Sequence, residues 1–141
     1  MGLSGRFAAE FPGLAASSLF AVASDIESYP LFIPWCRSAR VLADDGDVRQ
    51  VENHFGAGPV DMRFLTRAQA DPPHSLSITS DDGPFRSFRL DWPFREGHVE
   101  ARYHISLRSP LLQGLAAFGM PEVERRIVSQ FRQRVRDLHG V

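Results

Sequence analysis

The run Phe88-Arg-Leu-Asp-Trp-Pro-Phe-Arg95, followed by Glu96-Gly97 and then His98-Val-Glu-Ala-Arg-Tyr-His-Ile-Ser-Leu107, is the stretch on which the fold turns. Phe88, Leu90, Trp92 and Phe94 alternate with Arg89, Asp91 and Arg95. Beyond the turn, Val99, Ala101, Tyr103, Ile105 and Leu107 alternate with Glu100, Arg102, His104 and Arg108. A period of two puts each set on one side of an extended strand. A glycine-bearing turn between two such runs makes an antiparallel pair with one apolar and one solvated face.

The same pattern extends toward the N-terminus. Val60, Met62 and Phe64 oppose Asp61, Arg63 and Arg67. Turn signals at Asp44-Asp45-Gly46-Asp47, Gly56-Ala57-Gly58-Pro59, Asp71-Pro72-Pro73 and Asp81-Asp82-Gly83-Pro84 divide the chain into strand-sized pieces, as in an antiparallel meander. Residues 48–55 read less cleanly, because Gln50, Glu52 and His54 share a face. That strand is either an edge or one that turns polar groups toward a cavity.

An apolar sheet face needs a cover. Val123, Ile127, Phe131, Val135 and Leu138 recur at steps of four, four, four and three, one stripe of an α-helix. Glu122 and Glu124 near its start, with Arg132, Arg134 and Arg136 near its end, suit the helix dipole. Leu111 to Met120 reads as a preceding helical turn or two, and Pro121 is expected to kink or restart the helix. At the other end the pattern predicts a short strand near Arg6–Phe11 and one or two helices over 14–34. The class is α+β, with helices on one face of an antiparallel sheet.

Asp25-Ile-Glu-Ser-Tyr-Pro-Leu-Phe-Ile-Pro-Trp-Cys36 concentrates Ile26, Tyr29, Leu31, Phe32, Ile33 and Trp35 within twelve residues. Pro30 and Pro34 prevent a long helix there. The segment reads as a short apolar lid laid over a hydrophobic cavity.

Composition narrows the function. At 141 residues, 43% hydrophobic and 23% charged, the chain reads as one domain over 1–141 with an ordinary core. All sixteen basic residues are arginines and the net charge is −1, so the general field that gathers nucleic acid is missing, and no DNA partner is expected. Residues 121–141 carry five arginines against Glu122, Glu124 and Asp137, a surplus of two that suits transient membrane-surface contact better than RNA. No apolar run reaches the length of a membrane span. Leu14–Ser24 imitates a signal-peptide core ending in Ala21-Val22-Ala23, but Arg6 is its only leading side-chain cation, and Glu10, Pro12 and Gly13 precede it. A first helix in a cytoplasmic protein, peripheral to the inner membrane, is the expectation.

The chemistry-bearing residues form no catalytic constellation. Cys36 is the single cysteine, which excludes an internal disulfide and a multi-cysteine zinc site; packing is expected to be its role. The five histidines lack metal spacing, and His98 and His104 fall on the solvated face with Glu100 and Arg102. Asp25 and Glu27 read as helix-end residues. No phosphate loop, Ser-His-Asp signature or paired-carboxylate motif is present. Inward acid–base candidates reduce to Tyr103, with Glu52 or His54.

Three stretches together resemble a known family. They are Leu19 to Cys36, with its Asp-Ile, Tyr-Pro and Pro-Trp-Cys; Asp82-Gly83-Pro84-Phe85-Arg86 with Leu90-Asp91-Trp92-Pro93-Phe94; and Ser109-Pro110-Leu111-Leu112 leading into the arginine-rich helix. In this order they resemble the coenzyme Q-binding Coq10/RatA family of START-like, polyketide cyclase/dehydrase-like domains in the SRPBCC superfamily. The resemblance implies a helix-grip fold, a curved sheet of six or seven strands gripping the last helix. It implies a non-enzymatic protein that needs no cofactor and binds ubiquinone or another polyprenyl quinone in support of respiration or quinone biosynthesis. The other branch implies a ribosome-association inhibitor, and the wider superfamily a cyclase or aromatase.

If the helix leaves a tunnel, its expected walls are Phe32, Pro34 and Trp35 from the lid and Met62, Phe64, Ile78, Phe88 and Trp92 from the sheet. Leu112, Leu115, Phe118, Ile127 and Phe131 would line it from the helix side. The alternative is that these residues fill a closed core.

Overall fold

The computed structural model describes residues 2–140. In chain order the elements are β1 (Leu3–Glu10), α1 (Ala16–Ser24), a 3-10 turn (Ile26–Leu31), β2 (Cys36–Asp44), β3 (Val48–Ala57), β4 (Val60–Asp71), β5 (Ser75–Ser80), β6 (Phe85–Arg95), β7 (His98–Leu107) and α2 (Pro110–His139). The strands form one antiparallel sheet in the order β1-β7-β6-β5-β4-β3-β2. Every neighbour apart from the β1–β7 pair is joined by a short turn, as the spacing of turn signals predicts. This is the helix-grip outline that the resemblance implies.

Register carries the alternating pattern across the whole sheet. Ala70 pairs with Leu76, Leu76 with Trp92, Ile78 with Leu90, Leu90 with Tyr103, and Ala101 with Phe7. These residues line the inner face, which the helices cover. The opposite face carries Gln50, Arg67, Thr79 and Arg89 in one cross-strand row. Gln50, Glu52 and His54 therefore point outward, and β3 lies between β2 and β4. Both readings of residues 48–55, edge strand and cavity-facing polar strand, give way to an internal strand with a conventional wet side.

The helices divide the cover between them. α1 packs on β5, β6 and β7, α2 lies over β1 and β7, and the 3-10 turn rests against β2. α1 begins at Ala15 without a side-chain cap, whereas Ser109 Oγ accepts the Leu112 N–H at the start of α2. Gly140, with φ of 66°, closes α2 by donating its N–H to Arg136 O. Pro121 does not restart α2, which runs unbroken past it. Both Pro121 and Ala117, whose carbonyl the ring deprives of a donor, are exposed, so water can take that carbonyl.

The continuous core joins Leu19, Val22 and Ala23 of α1 to Leu76, Ile78, Trp92, Phe131 and Val135. Phe131 is its hub, with ring centroids 5.7 Å from Trp92, 5.8 Å from Phe32 and 5.9 Å from Phe11. No helix among the described residues is long and apolar enough to cross a membrane.

Candidate functional site: an aromatic groove on the inner face

The lid segment is anchored more deeply than its composition suggests. Tyr29 is buried, donates its hydroxyl to Ala23 O and packs edge-on against Phe32 at 5.3 Å. Burial raises the Tyr29 hydroxyl above the ordinary tyrosine range, with the Arg49 charge opposing. Phe32 is 2% exposed and Pro34 is buried, so both belong to the core and neither forms a movable flap. Only the tip stands out. Trp35 is 39% exposed and holds φ of 63°, a conformation that costs a bulky residue roughly 1–3 kcal/mol. Two contacts secure it: its carbonyl accepts the Gly56 N–H at 3.0 Å, and the Arg126 guanidinium lies 5.5 Å over its indole. This contact joins the lid tip to the middle of α2.

Beyond that bridge lies a second aromatic cluster. Phe55 stacks on Phe64 at 5.7 Å, Phe64 meets Phe85 edge-on at 4.8 Å, and Phe85 approaches Phe88 at 5.0 Å. Phe64, Phe85 and Tyr103 are buried yet stand outside the continuous core. Phe55, Met62, Phe88, Leu90 and Ile105 around them are only half-buried. Asn53, on the same face, donates Nδ2 to Phe64 O at 3.2 Å and to Thr66 Oγ1 at 3.0 Å. These residues form the floor of a groove.

The first half of α2 meets the sheet at β7, beside the partners of Phe85 and Phe88. Gln113 ties that segment to the sheet, accepting the Leu107 N–H at 2.6 Å and donating to Ile105 O at 3.2 Å. Residues 110–121 carry no charge. Leu112, Ala116, Met120 and Val123 are half-buried at helical spacing in phase with Ile127. Leu111, Leu115 and Phe118 occupy the outer side and are 73%, 55% and 89% exposed. Gly114 and Gly119 pack against nothing within reach of an added β-carbon. Two glycines and a proline within eight positions weaken this part of the helix.

The expected tunnel walls thus sort into three groups. Met62, Phe64, Phe88 and Leu112 border the groove. Ile78, Trp92 and Phe131 fill the core with Phe32 and Pro34, and Ile127 flanks it. Leu115 and Phe118 lie on the outer side of the helix. Phe55 and Phe85 are groove residues that period-two counting passed over. For Phe85 the cause is a register shift between Phe85 and Ser87, a bulge that turns two residues of opposite parity to the same face. Its place in Asp-Gly-Pro-Phe was the available signal.

Between β1, β7 and α2 the structure encloses only about 10 Å³, lined by Phe7, Trp92, Ala101, Ile127, Val128 and Phe131 among others. Drug-sized ligands occupy roughly 300–1,000 Å³. Hollows of about 700 and 450 Å³ lie elsewhere, along the outer side of β3 to β6, and Arg67 and Thr79 border both. Much of that side's charge is paired: Arg40 with Glu52 at 3.1 Å, Arg89 with Asp91 at 2.8 Å, His54 with Asp61, Arg102 with Glu100; Arg67 makes no ion pair among the described residues. Leu65 and Phe88 also border the larger of these hollows, while the cluster of Phe55, Phe64 and Phe85 lies on the inner face.

Cys36 is a buried free thiol. Burial pushes its thiol up to about 11, and its Sγ faces Ser38 O at 3.7 Å. In the native protein at pH 8 it is expected to react with a disulfide reagent roughly 100-fold more slowly than an exposed thiol. A labelling rate equal to that of a free cysteine would contradict this. Among the described residues, no three His, Cys, Asp or Glu side chains gather into a possible metal site.

A family model described as "Polyketide cyclase / dehydrase and lipid transport" matches residues 13–132. The chain is 27% identical over 130 residues to the ribosome association toxin RatA of Pseudomonas aeruginosa, covering 89% of this chain and 90% of that protein. It is 23% identical over 137 residues to the mitochondrial coenzyme Q-binding protein COQ10 homolog B of Xenopus laevis, covering 91% of this chain and 56% of that one. Among solved structures, the Zhui aromatase/cyclase from Streptomyces sp. R1128 superposes with a TM-score of 0.75 at 13% identity, over 100% of this chain and 99% of that chain.

Proposed function

Because the chain belongs to the polyketide cyclase / dehydrase and lipid transport family, we propose that it binds a hydrophobic ligand of the polyprenyl quinone class, without catalysing a reaction on it, and supplies that ligand to respiratory or biosynthetic enzymes. One observation carries the reading. Phe55, Phe64, Phe85 and Phe88 cluster on the inner face, and the uncharged, glycine-weakened segment of α2 leaves Leu111, Leu115 and Phe118 in water; in this reading that segment roofs the cluster. Apolar surface of this kind is retained where it meets lipid or ligand. Each methylene moved from water into such a groove gains about 0.8 kcal/mol, so a few prenyl units offset the cost of lifting the roof. Loading takes place at the cytoplasmic surface of the inner membrane, where the three exposed side chains and the Trp35 tip enter the headgroup region.

The test is organic extraction of the purified chain followed by mass spectrometry, with titration of decylubiquinone into the extracted protein. Recovered polyprenyl quinone and micromolar binding are expected. An empty extract together with no binding would end the proposal.

The RatA similarity, which spans 90% of that protein, supports a second reading as a ribosome-associating factor. Arg40, Arg89 and Arg102 of the outer sheet face are committed to carboxylates, which weighs against it, since phosphate contacts need uncommitted cations. Arg63 and Arg67 make no ion pair among the described residues and leave it open to test. Co-sedimentation with large ribosomal subunits that survives moderate salt would favour it over quinone binding.

A further inference from the structure

Tyr103 stands on the inner face of β7 beside Leu90, one step from the Ile105–Phe88 pair, and its ring leans toward Phe7 of β1 at 6.4 Å. Gly5 opposite it on β1 makes room, since a β-carbon there would overlap the phenol oxygen. The Tyr103 hydroxyl donates to Glu124, which is half-buried on the inward stripe of α2 shared with Val128, Phe131 and Val135. Burial and the Glu124 carboxylate together raise the Tyr103 hydroxyl above the ordinary tyrosine range, so it stays protonated and donating.

Among the described residues Glu124 makes no ion pair, and Arg125 and Arg126 are both taken by Glu122. A carboxylate without a cation at an apolar seam is costly and needs hydrogen-bond donors. Tyr103 supplies one donor against roughly four lone pairs. The tyrosine proton is then spent, and the pair as a whole offers acceptors only.

We propose that Tyr103 and Glu124 form an acceptor-only pole of the groove that selects a hydroxyl-bearing aromatic headgroup, the reduced quinol, over the dicarbonyl quinone. The inference rests on the apolar-ligand reading above. A quinol can turn one of its two O–H donors to the waiting carboxylate, and hydrogen bonds to a charged acceptor are among the stronger ones. A quinone presents only carbonyl acceptors and meets lone pair with lone pair.

The experiment is calorimetric titration of the full chain under argon with decylubiquinol and, separately, decylubiquinone. Tenfold or tighter binding of the quinol is expected, which for this two-electron pair raises the potential of the bound couple by about 30 mV. In Glu124→Gln the carboxamide N–H can serve a carbonyl, and the preference should fall to within about twofold. In Tyr103→Phe the carboxylate remains, and the preference should persist while the affinity for both forms shifts. A purely structural pair would change the melting temperature without moving this ratio. Equal affinity for the two forms in the natural protein, or a preference that survives in Glu124→Gln, would overturn the proposal and leave the apolar-ligand reading standing. Failure of both forms to bind would overturn the two together.

Discussion

Replacing Phe131 with alanine is expected to lower stability by about 3–5 kcal/mol and the melting temperature by roughly 10–15 °C. The side chain is 2% exposed, and its ring touches three parts of the chain at once. Trp92 lies beneath it at the centre of the sheet, Phe32 comes from the root of the lid, and Phe11 from the end of β1. A hydrogen-bonded sheet cannot collapse into the space left, so most of the cavity would persist and the upper part of the usual range applies. The comparison that gives this meaning is Phe118→Ala, eight residues into the same helix and 89% exposed, where the change should stay within about 0.5 kcal/mol. Thermal unfolding followed by circular dichroism reads both. A loss below 1 kcal/mol at Phe131 would mean that α2 is held by something other than its C-terminal half.

The second large effect concerns ligand. Phe88→Asp should weaken binding of decylubiquinone by more than 100-fold. Phe88 is half-buried at the groove with Phe85 5.0 Å away, so a carboxylate there keeps access to water in the empty protein and the fold should tolerate it. With hydrocarbon in the groove the same carboxylate loses its hydration at a cost of several kcal/mol, and each 1.4 kcal/mol is tenfold in affinity. Arg89→Ala is the control, one residue along on the outer face, bonded to Asp91 and bordering the 450 Å³ hollow. It should leave affinity unchanged. If Arg89→Ala abolished binding and Phe88→Asp did not, the ligand would sit on the outer face, and the inner groove would have no role in binding.

Phe118 and Phe88 also mark the limit of periodicity as a guide. At Phe88 alternation with Arg89 named the correct face, because a paired strand has only two faces and one of them is wet. At Leu115 and Phe118 the helical pattern identified apolar residues, and the expectation placed them against the sheet. Their phase runs opposite to Ile127, and α2 lies over β1 and β7 with that side in water. Phe85 escaped for another reason: a bulge changes strand parity, and nothing local announces where one occurs. Trp35 was read as a lid residue, but its positive φ was not legible, because that backbone runs against tryptophan's own preference.

The alternating faces of β4, β6 and β7, the long final helix and the family were legible in the sequence, since each follows from interactions between residues near in the chain or from motifs a few residues long. Whether Phe32, Trp92 and Phe131 enclose space or fill it was decided only in three dimensions. That outcome depends on the distance between a helix at the end of the chain and a sheet built from its middle, a distance set by side-chain volumes from all parts of the molecule at once. The pairing of Tyr103 with Glu124 has the same origin: two residues twenty-one positions apart on different elements, brought together by the path of α2 across β7 and β1.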